Sequence, residues 1–181
     1  TGKYNEVNTG VSFCKRCGTG KYNDQTGQSG CKNCGKGKYN DDSTGVSACK
    51  DCGTGKYGDQ QGLDSPHDCE DCPKGWYQLY AGQANCIICA AGKSNNVLGR
   101  SLASDCVNCF QGMYNDQTGQ STCFNCAAGK YNIQTGKTAC EDCPGGFYQS
   151  EAAQIVCKIC GQGKYNDELA STTDDDCKNC L

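Results

Sequence analysis

Apolar side chains are scarce in this chain. It has 6 Val, 5 Ile, 6 Leu and 4 Phe among 181 residues, well under the roughly 20% below which chains do not build a globular core. Unbraced, such a composition cannot offset the entropy lost on folding. No apolar run approaches the roughly 20 residues of a membrane-spanning helix. No leader stands ahead of Thr1, so the chain is expected to be mature or excised from a longer precursor. The formal charge is only -3, with Lys and Arg scattered through the loops. This gives no basic stripe for nucleic acid and no amphipathic helix for a membrane surface, so neither nucleic acid nor membrane insertion is expected of this segment. A single histidine, His67 in a Ser65-Pro66-His67 turn, leaves one candidate base, and a solvated loop residue accounts for it. No catalysis and no cofactor are expected. Asn-x-Ser/Thr is missing, which excludes N-glycosylation, while Ser and Thr of the Gln-Thr-Gly-Gln loops leave an O-linked glycan open.

What the chain does have is 20 cysteines, a share that marks a disulfide scaffold and places it outside the cell, secreted or on a cell surface. All belong to ten Cys-x-x-Cys pairs, and nine of these are followed, after two intervening residues, by Gly, a variable residue, Tyr (Ser94 in one case) and usually Asn or Gln. The stretch Cys31-Lys32-Asn33-Cys34-Gly35-Lys36-Gly37-Lys38-Tyr39-Asn40 is the type. A period near twenty residues means an array of similar units.

The first cysteines fall at 14, 31, 49, 69, 86, 106, 123, 140, 157 and 177. Taken two pairs at a time, they predict a leading loop (1–13) and five modules (14–48, 49–85, 86–122, 123–156 and 157–181). Cys69 to Cys109 also aligns without a gap on Cys140 to Cys180, as a duplicated block would. Within a loop such as 18–30 there is no 3.6-residue apolar period, and Gly20, Gly27, Asn and Asp read as turn formers around a strand of two to four residues at Tyr22. The expected fold is therefore one of small disulfide-rich repeats: an elongated rod of short irregular β-hairpins, with almost no helix and no single hydrophobic core. The longer loops (53–68, 90–105 and 161–176), each closing on Asp68, Asp105 or Asp176, should project from the surface. The repeated Tyr4, Tyr22, Tyr39, Tyr57, Tyr77, Tyr114, Tyr131, Tyr148 and Tyr165 are expected to pack over the adjacent disulfide. Ser94 replaces one of them, which predicts the loosest loop at 90–105. An exposed aromatic ladder for a glycan or partner is the functional alternative.

Paired Cys-x-x-Cys motifs can also hold zinc through four thiolates. The runs at Cys14, Cys31 and Cys49 are superficially similar to the zinc region of J-domain chaperones. There the glycines lie two and four residues after the second Cys, whereas here Gly18 and Gly20 lie one and three after it. Thioredoxin-like chemistry lacks its βαβ surroundings. Asp174-Asp175-Asp176 could hold calcium, but an acidic run of this kind is ordinarily solvated. No metal is expected.

The pattern Cys-x-x-Cys-Pro-x-Gly-aromatic-Tyr-Gln (Cys69 to Gln78, Cys140 to Gln149), with Gly-Gln-Ser or Gly-Gln-Ala before the next Cys, resembles the cysteine-rich repeats of ephrin-receptor-like type, relatives of tumour-necrosis-factor-receptor modules. The departure is Gly or Ala where many relatives have Pro after the second Cys. The resemblance implies an extracellular location and first-to-third, second-to-fourth bridging: Cys14–Cys31, Cys17–Cys34, Cys49–Cys69, Cys52–Cys72, Cys86–Cys106, Cys89–Cys109, Cys123–Cys140, Cys126–Cys143, Cys157–Cys177 and Cys160–Cys180. A rival connectivity joins the second Cys of one pair to the first of the next, as Cys17–Cys31, and leaves Cys14 and Cys180 unpaired inside one chain.

Joining the end to the beginning gives Cys180-Leu181-Thr1-Gly2-Lys3-Tyr4-Asn5, which restores the repeat's register. The first functional expectation is therefore structural, a subunit or segment of an extracellular filament. Its partners would be copies of itself head to tail, or adjoining repeats of a longer chain. The alternative is a ligand-binding or spacer ectodomain of a cell-surface receptor.

Overall fold

The computed structural model describes residues 1–8 and 11–180. Ten repeats run from a glycine to the second cysteine of a pair: 2–17, 20–34, 37–52, 55–72, 75–89, 92–109, 112–126, 129–143, 146–160 and 163–180. In each, the two residues after the glycine form a short strand that pairs antiparallel with the middle of the Cys-x-x-Cys, as Lys38↔Asp51 and Tyr39↔Lys50 do. The first repeat departs from this, with strands β1 (Lys3–Asn8) and β2 (Val11–Arg16) paired over their whole length. Among the described residues helix is confined to 3-10 turns at Pro66–Asp68, Ala103–Asp105 and Asp174–Asp176. These sit in the three longer loops, where Asp68, Asp105 and Asp176 accept backbone N–H groups at 2.9–3.0 Å.

The predicted class of small disulfide-rich hairpin repeats is what the chain adopts. Among the described residues cysteine is the only apolar residue type with buried side chains, and its company in the interior is amide: Asn23, Asn40, Asn115 and Asn132 are each at most 1% exposed. The chain divides into two compact units, residues 1–87 with 97–105, and residues 88–96 with 106–181. Each is built by the same stacking rule.

The bridges differ from those the family resemblance implied. They are Cys17–Cys31, Cys34–Cys49, Cys52–Cys69, Cys72–Cys86, Cys89–Cys106, Cys109–Cys123, Cys126–Cys140, Cys143–Cys157 and Cys160–Cys177. None of the ten expected pairs, Cys14–Cys31 and Cys17–Cys34 through Cys157–Cys177 and Cys160–Cys180, is formed, and Cys14 and Cys180 are free and exposed. The reason is strand geometry. Residues three apart in extended chain point to opposite faces, so the two cysteines of one pair cannot both turn toward the same neighbour. The first reaches back to the preceding repeat and the second forward to the following one. Every repeat is thereby linked to the next, within the sequence groups of two and between them alike.

Candidate functional site: the seam between repeats

The surface that organises this molecule is the seam along which one repeat meets the next two. Within each unit the second cysteine donates its N–H to the opening glycine of its own repeat, as Cys34 does to Gly20 at 2.9 Å and Cys126 to Gly112 at 2.9 Å. This closes the hairpin. The same glycine's N–H then crosses to the residue after Tyr in the next repeat. In the first unit these bonds are Gly2 to Asn23, Gly20 to Asn40, Gly37 to Gly58 and Gly55 to Gln78, at 2.6–2.8 Å. In the second they are Gly92 to Asn115, Gly112 to Asn132, Gly129 to Gln149 and Gly146 to Asn166, at 2.6–2.8 Å. The residue after Tyr returns a bond from its own N–H to the following repeat, as Asn23 to Val46 at 3.1 Å and Asn115 to Lys137 at 3.0 Å.

A third contact reaches two repeats on. From Gly62 onward the N–H of the loop glycine, or of the alanine in its place, binds the carbonyl of a second cysteine, as Gly62 to Cys34 at 2.8 Å and Gly136 to Cys109 at 2.8 Å. Its own carbonyl comes so close to the opening glycine of the earlier repeat that a Cβ there would stand 2.3 Å from it at Gly20 and 2.2 Å at Gly92. Only glycine fits, and its φ is near +70°. Ala153 and Ala170 take the loop-glycine place in the last two repeats with φ 61° and 56°, and their N–H groups are held by Cys126 and Cys143.

The buried amide locks this frame. Asn40 Nδ2 donates to the Lys21 carbonyl of the preceding repeat at 2.8 Å and to its own loop at Asp42, while Oδ1 accepts the Asp42 N–H at 3.0 Å. Asn23, Asn115 and Asn132 do the same toward Lys3, Lys93 and Met113 at 2.7–2.9 Å. The longer Gln78 and Gln149 instead reach Asn85 and Val156 of their own loops at 2.6–2.8 Å. Where Gly58 replaces the amide, the Leu63 side chain moves into the space, with its Cδ1 2.8 Å from where a Cβ would stand. No buried side-chain nitrogen or oxygen among the described residues is left without a partner, as low-polarity surroundings demand.

Sequence reasoning missed these amides as interior residues because Asn beside Gly and Asp reads as a turn former. It is one, through Oδ1, but its Nδ2 also ties one repeat to another. The signal was present: the position after Tyr recurs as Asn or Gln, a restriction that a solvated turn does not need. The tyrosines emphasised instead are half-buried at 4, 22, 39, 57, 77, 114, 131 and 148, and Tyr165 is exposed. Tyr57 lines a shallow recess with Pro73, Trp76 and Cys86, and Tyr114 lines its counterpart with Ala127, Lys130 and Cys140. Tyr57 also donates from its hydroxyl to Glu70 at 2.7 Å, a bond that raises its pKa. Ser94 stands in the same strand position, paired with Val107.

Around the seam the surface is ionic and wet. Lys56–Asp71 at 2.7 Å, Lys32–Asp24 at 2.8 Å and Lys50–Asp41 at 2.6 Å lie with both partners well exposed, so they add little to stability. The Lys32 hydrogen bond holds the Asp24 carboxyl below the usual carboxylate range, and Lys50 does the same for Asp41. His67 is exposed in its turn, with Ser65 Oγ accepting its N–H. Of the acidic run, Asp174 pairs with Lys164 at 2.8 Å and Asp176 caps Thr172 and Thr173, so two of its three carboxylates are already engaged. The bridged cysteines, as disulfides, offer no thiolate to a metal.

Among curated proteins none matches the chain. The family described as Tyrosine-protein kinase ephrin type A/B receptor-like matches residues 64–105 and 129–177, about half of the chain. Both segments consist of the repeats whose glycine, amide and cysteine positions make the seam, and the same positions recur in the repeats outside them. The chain belongs to the ephrin-receptor-like family of cysteine-rich repeats.

Proposed function

We propose that this chain is a stretch of the ectodomain of a receptor-type cell-surface protein. In this reading the repeats form a covalently braced spacer whose exposed loops are available for ligand contact. One observation carries it: the family match falls on repeats whose interior is made of disulfides and amides. Such an interior is stable only where cystine persists, and the matched family is of receptor type. A filament subunit, the first expectation from sequence, draws no support from that match. No catalytic role is assigned.

The test is the location and redox state of the native protein. Antibody against the folded repeats should label intact, unpermeabilised cells or their medium, and alkylation before lysis should leave the cysteines of positions 17 to 177 unmodified. Protein confined to the cytosol with alkylatable thiols would contradict the reading.

A further inference from the structure

The tyrosine strand of a repeat runs beside the first cysteine of the repeat that follows. Tyr57 lines its recess with Cys86, and Tyr114 lines its counterpart with Cys140. After the sixth repeat the same place is held by Ser94, whose Oγ lies 3.4 Å from the Cys123 Sγ. Cys123 is bridged to Cys109 and carries no thiol proton, so the contact is a hydrogen bond donated by the serine hydroxyl to sulfur. Every other repeat has Tyr at this position.

The substitution changes what a nucleophile meets at the sulfur. Beside Cys86 and Cys140 stands an aromatic ring. Tyr57 also has Glu70 as its cross-strand neighbour, bound to its hydroxyl at 2.7 Å, and that carboxylate repels an approaching thiolate. Beside Cys123 the corresponding side chains are Ser94 and its cross-strand neighbour Val107, one short and the other uncharged. The two sulfurs of this bridge differ as well. Cys123 is half-buried, whereas Cys109 is 1% exposed, so attack falls on Cys123 and Cys109 is the leaving group.

We propose that the Cys109–Cys123 bridge is a thiol-exchange site, opened by a small-molecule thiolate of the glutathione class ahead of the bridges that lie beside a tyrosine. The thiolate attacks the Cys123 sulfur, the S–S bond breaks with its electron pair on Cys109, and Cys109 takes a proton from water. Cys123 is left carrying the small molecule as a mixed disulfide. A second thiolate attacks the outer sulfur of that mixed disulfide and departs with it as the oxidised small molecule. The electron pair stays on Cys123, where the Ser94 hydroxyl donates to the thiolate before it is protonated by water. The two electrons that reduce the bridge thus come from the two small-molecule thiols.

Opening the bridge leaves the hairpin in place, because the N–H groups of Gly112, Gly119 and Cys126 remain bound to Asn132, Cys89 and Gly112. The same two steps in reverse close it again. This proposal goes beyond the ectodomain reading and does not depend on it. Without added thiol the bridge stays closed, so the alkylation test of that reading is unchanged, whereas purified protein with added thiol tests this one.

The experiment treats the full chain, its free Cys14 and Cys180 alkylated beforehand, with reduced glutathione. Released thiols are trapped with a second alkylating reagent and located by mass spectrometry. Cys109 should be labelled about tenfold faster than Cys72 or Cys126, whose bridges lie beside Tyr57 and Tyr114. Ser94→Tyr, which installs the residue of the other repeats, should bring Cys109 down to the rate of those two. Ser94→Ala should keep the labelling of Cys109 but slow that of Cys123 about fivefold, with the glutathione adduct accumulating on Cys123. The converse change, Tyr114→Ser, should raise the labelling of Cys126. Equal labelling of all bridges, a Cys109 rate indifferent to Ser94→Tyr, or a Cys126 rate unchanged in Tyr114→Ser would overturn the proposal. Joint release of Cys109 and Cys123 in Ser94→Ala would overturn the part given to the hydroxyl.

Discussion

The first and third repeats carry one pattern, Asn-x-x-x-Thr-Gly-Val-Ser-x-Cys, and build different backbones from it. In the third, Asn40 is 1% exposed and its carbonyl receives the N–H of Gly20. The Val46 carbonyl receives Asn23, and the Gly45 carbonyl presses on Gly2. In the first, the segment from Lys3 to Asn8 stays extended against Val11–Arg16. Forward contacts do not distinguish them, since the N–H of Asn5 binds Gln28 as that of Asn40 binds Leu63. The repeats behind distinguish them. A repeat's turn is thus imposed by its predecessors, which supply the carbonyls for its amide and the glycine beneath its loop. Repeat arrays of nearest-neighbour type behave in this way, each unit depending on the surface already laid down.

The contrast is broken most strongly at the glycines. Gly20→Ala places a Cβ 2.3 Å from the Gly62 carbonyl, and overpacking against backbone costs about 3 kcal/mol in addition to about 1 kcal/mol for left-handed φ. Gly163→Ala meets nothing within 4 Å and should lose only the second part. Denaturant unfolding of the two variants should differ by about 3 kcal/mol, and equal losses would mean that the close approach does not hold the repeats together.

The amides give a smaller effect with the same logic. Asn40→Ala leaves the Lys21 carbonyl and the Asp42 N–H without their partner, a loss of about 2 kcal/mol. Asn5→Ala, at an exposed position, should stay within about 0.5 kcal/mol. A matching loss at Asn5 would show that the first repeat already has the interior form.

Acid gives the smallest effect. Lys50 lowers the Asp41 pKa, and the side-chain and backbone bonds of Thr44 lower that of Asp42. A depressed folded pKa stabilises above the unfolded value of about 3.9 and is lost as pH falls through the folded one. Melting temperature should therefore decline modestly below about pH 4. Asp42→Asn should lower it at pH 7 and flatten that decline. An Asp42→Asn variant that keeps the full acid sensitivity would remove Thr44 capping from the account.

How much of this was legible in the sequence follows from which contacts are local. The Gly-x-Tyr strand lies within one repeat, so period and spacing disclosed it together with the hairpin class, while its pairing with the Cys-x-x-Cys came only from the structure. The bridges were not legible, because both pairings join cysteines at similar separations. Only the opposite directions of Cys31 and Cys34 on one short strand decide between them. The close approach of Gly20 to Gly62 spans two repeats and leaves in the sequence only a recurrent glycine, which a turn would explain as well. The buried Asn23 and Asn40 were hidden by their second role at the turn.

Disulfide mapping of the unreduced chain tests the seam most directly. Trypsin cleaves after Lys15, Arg16, Lys32 and Lys50, so it separates the two cysteines within the first three pairs and makes the alternatives distinguishable by mass. The account predicts Cys17 linked to Cys31 and Cys34 to Cys49, with Cys14 in neither bridge. Peptides linking Cys14 to Cys31 and Cys17 to Cys34 would contradict it.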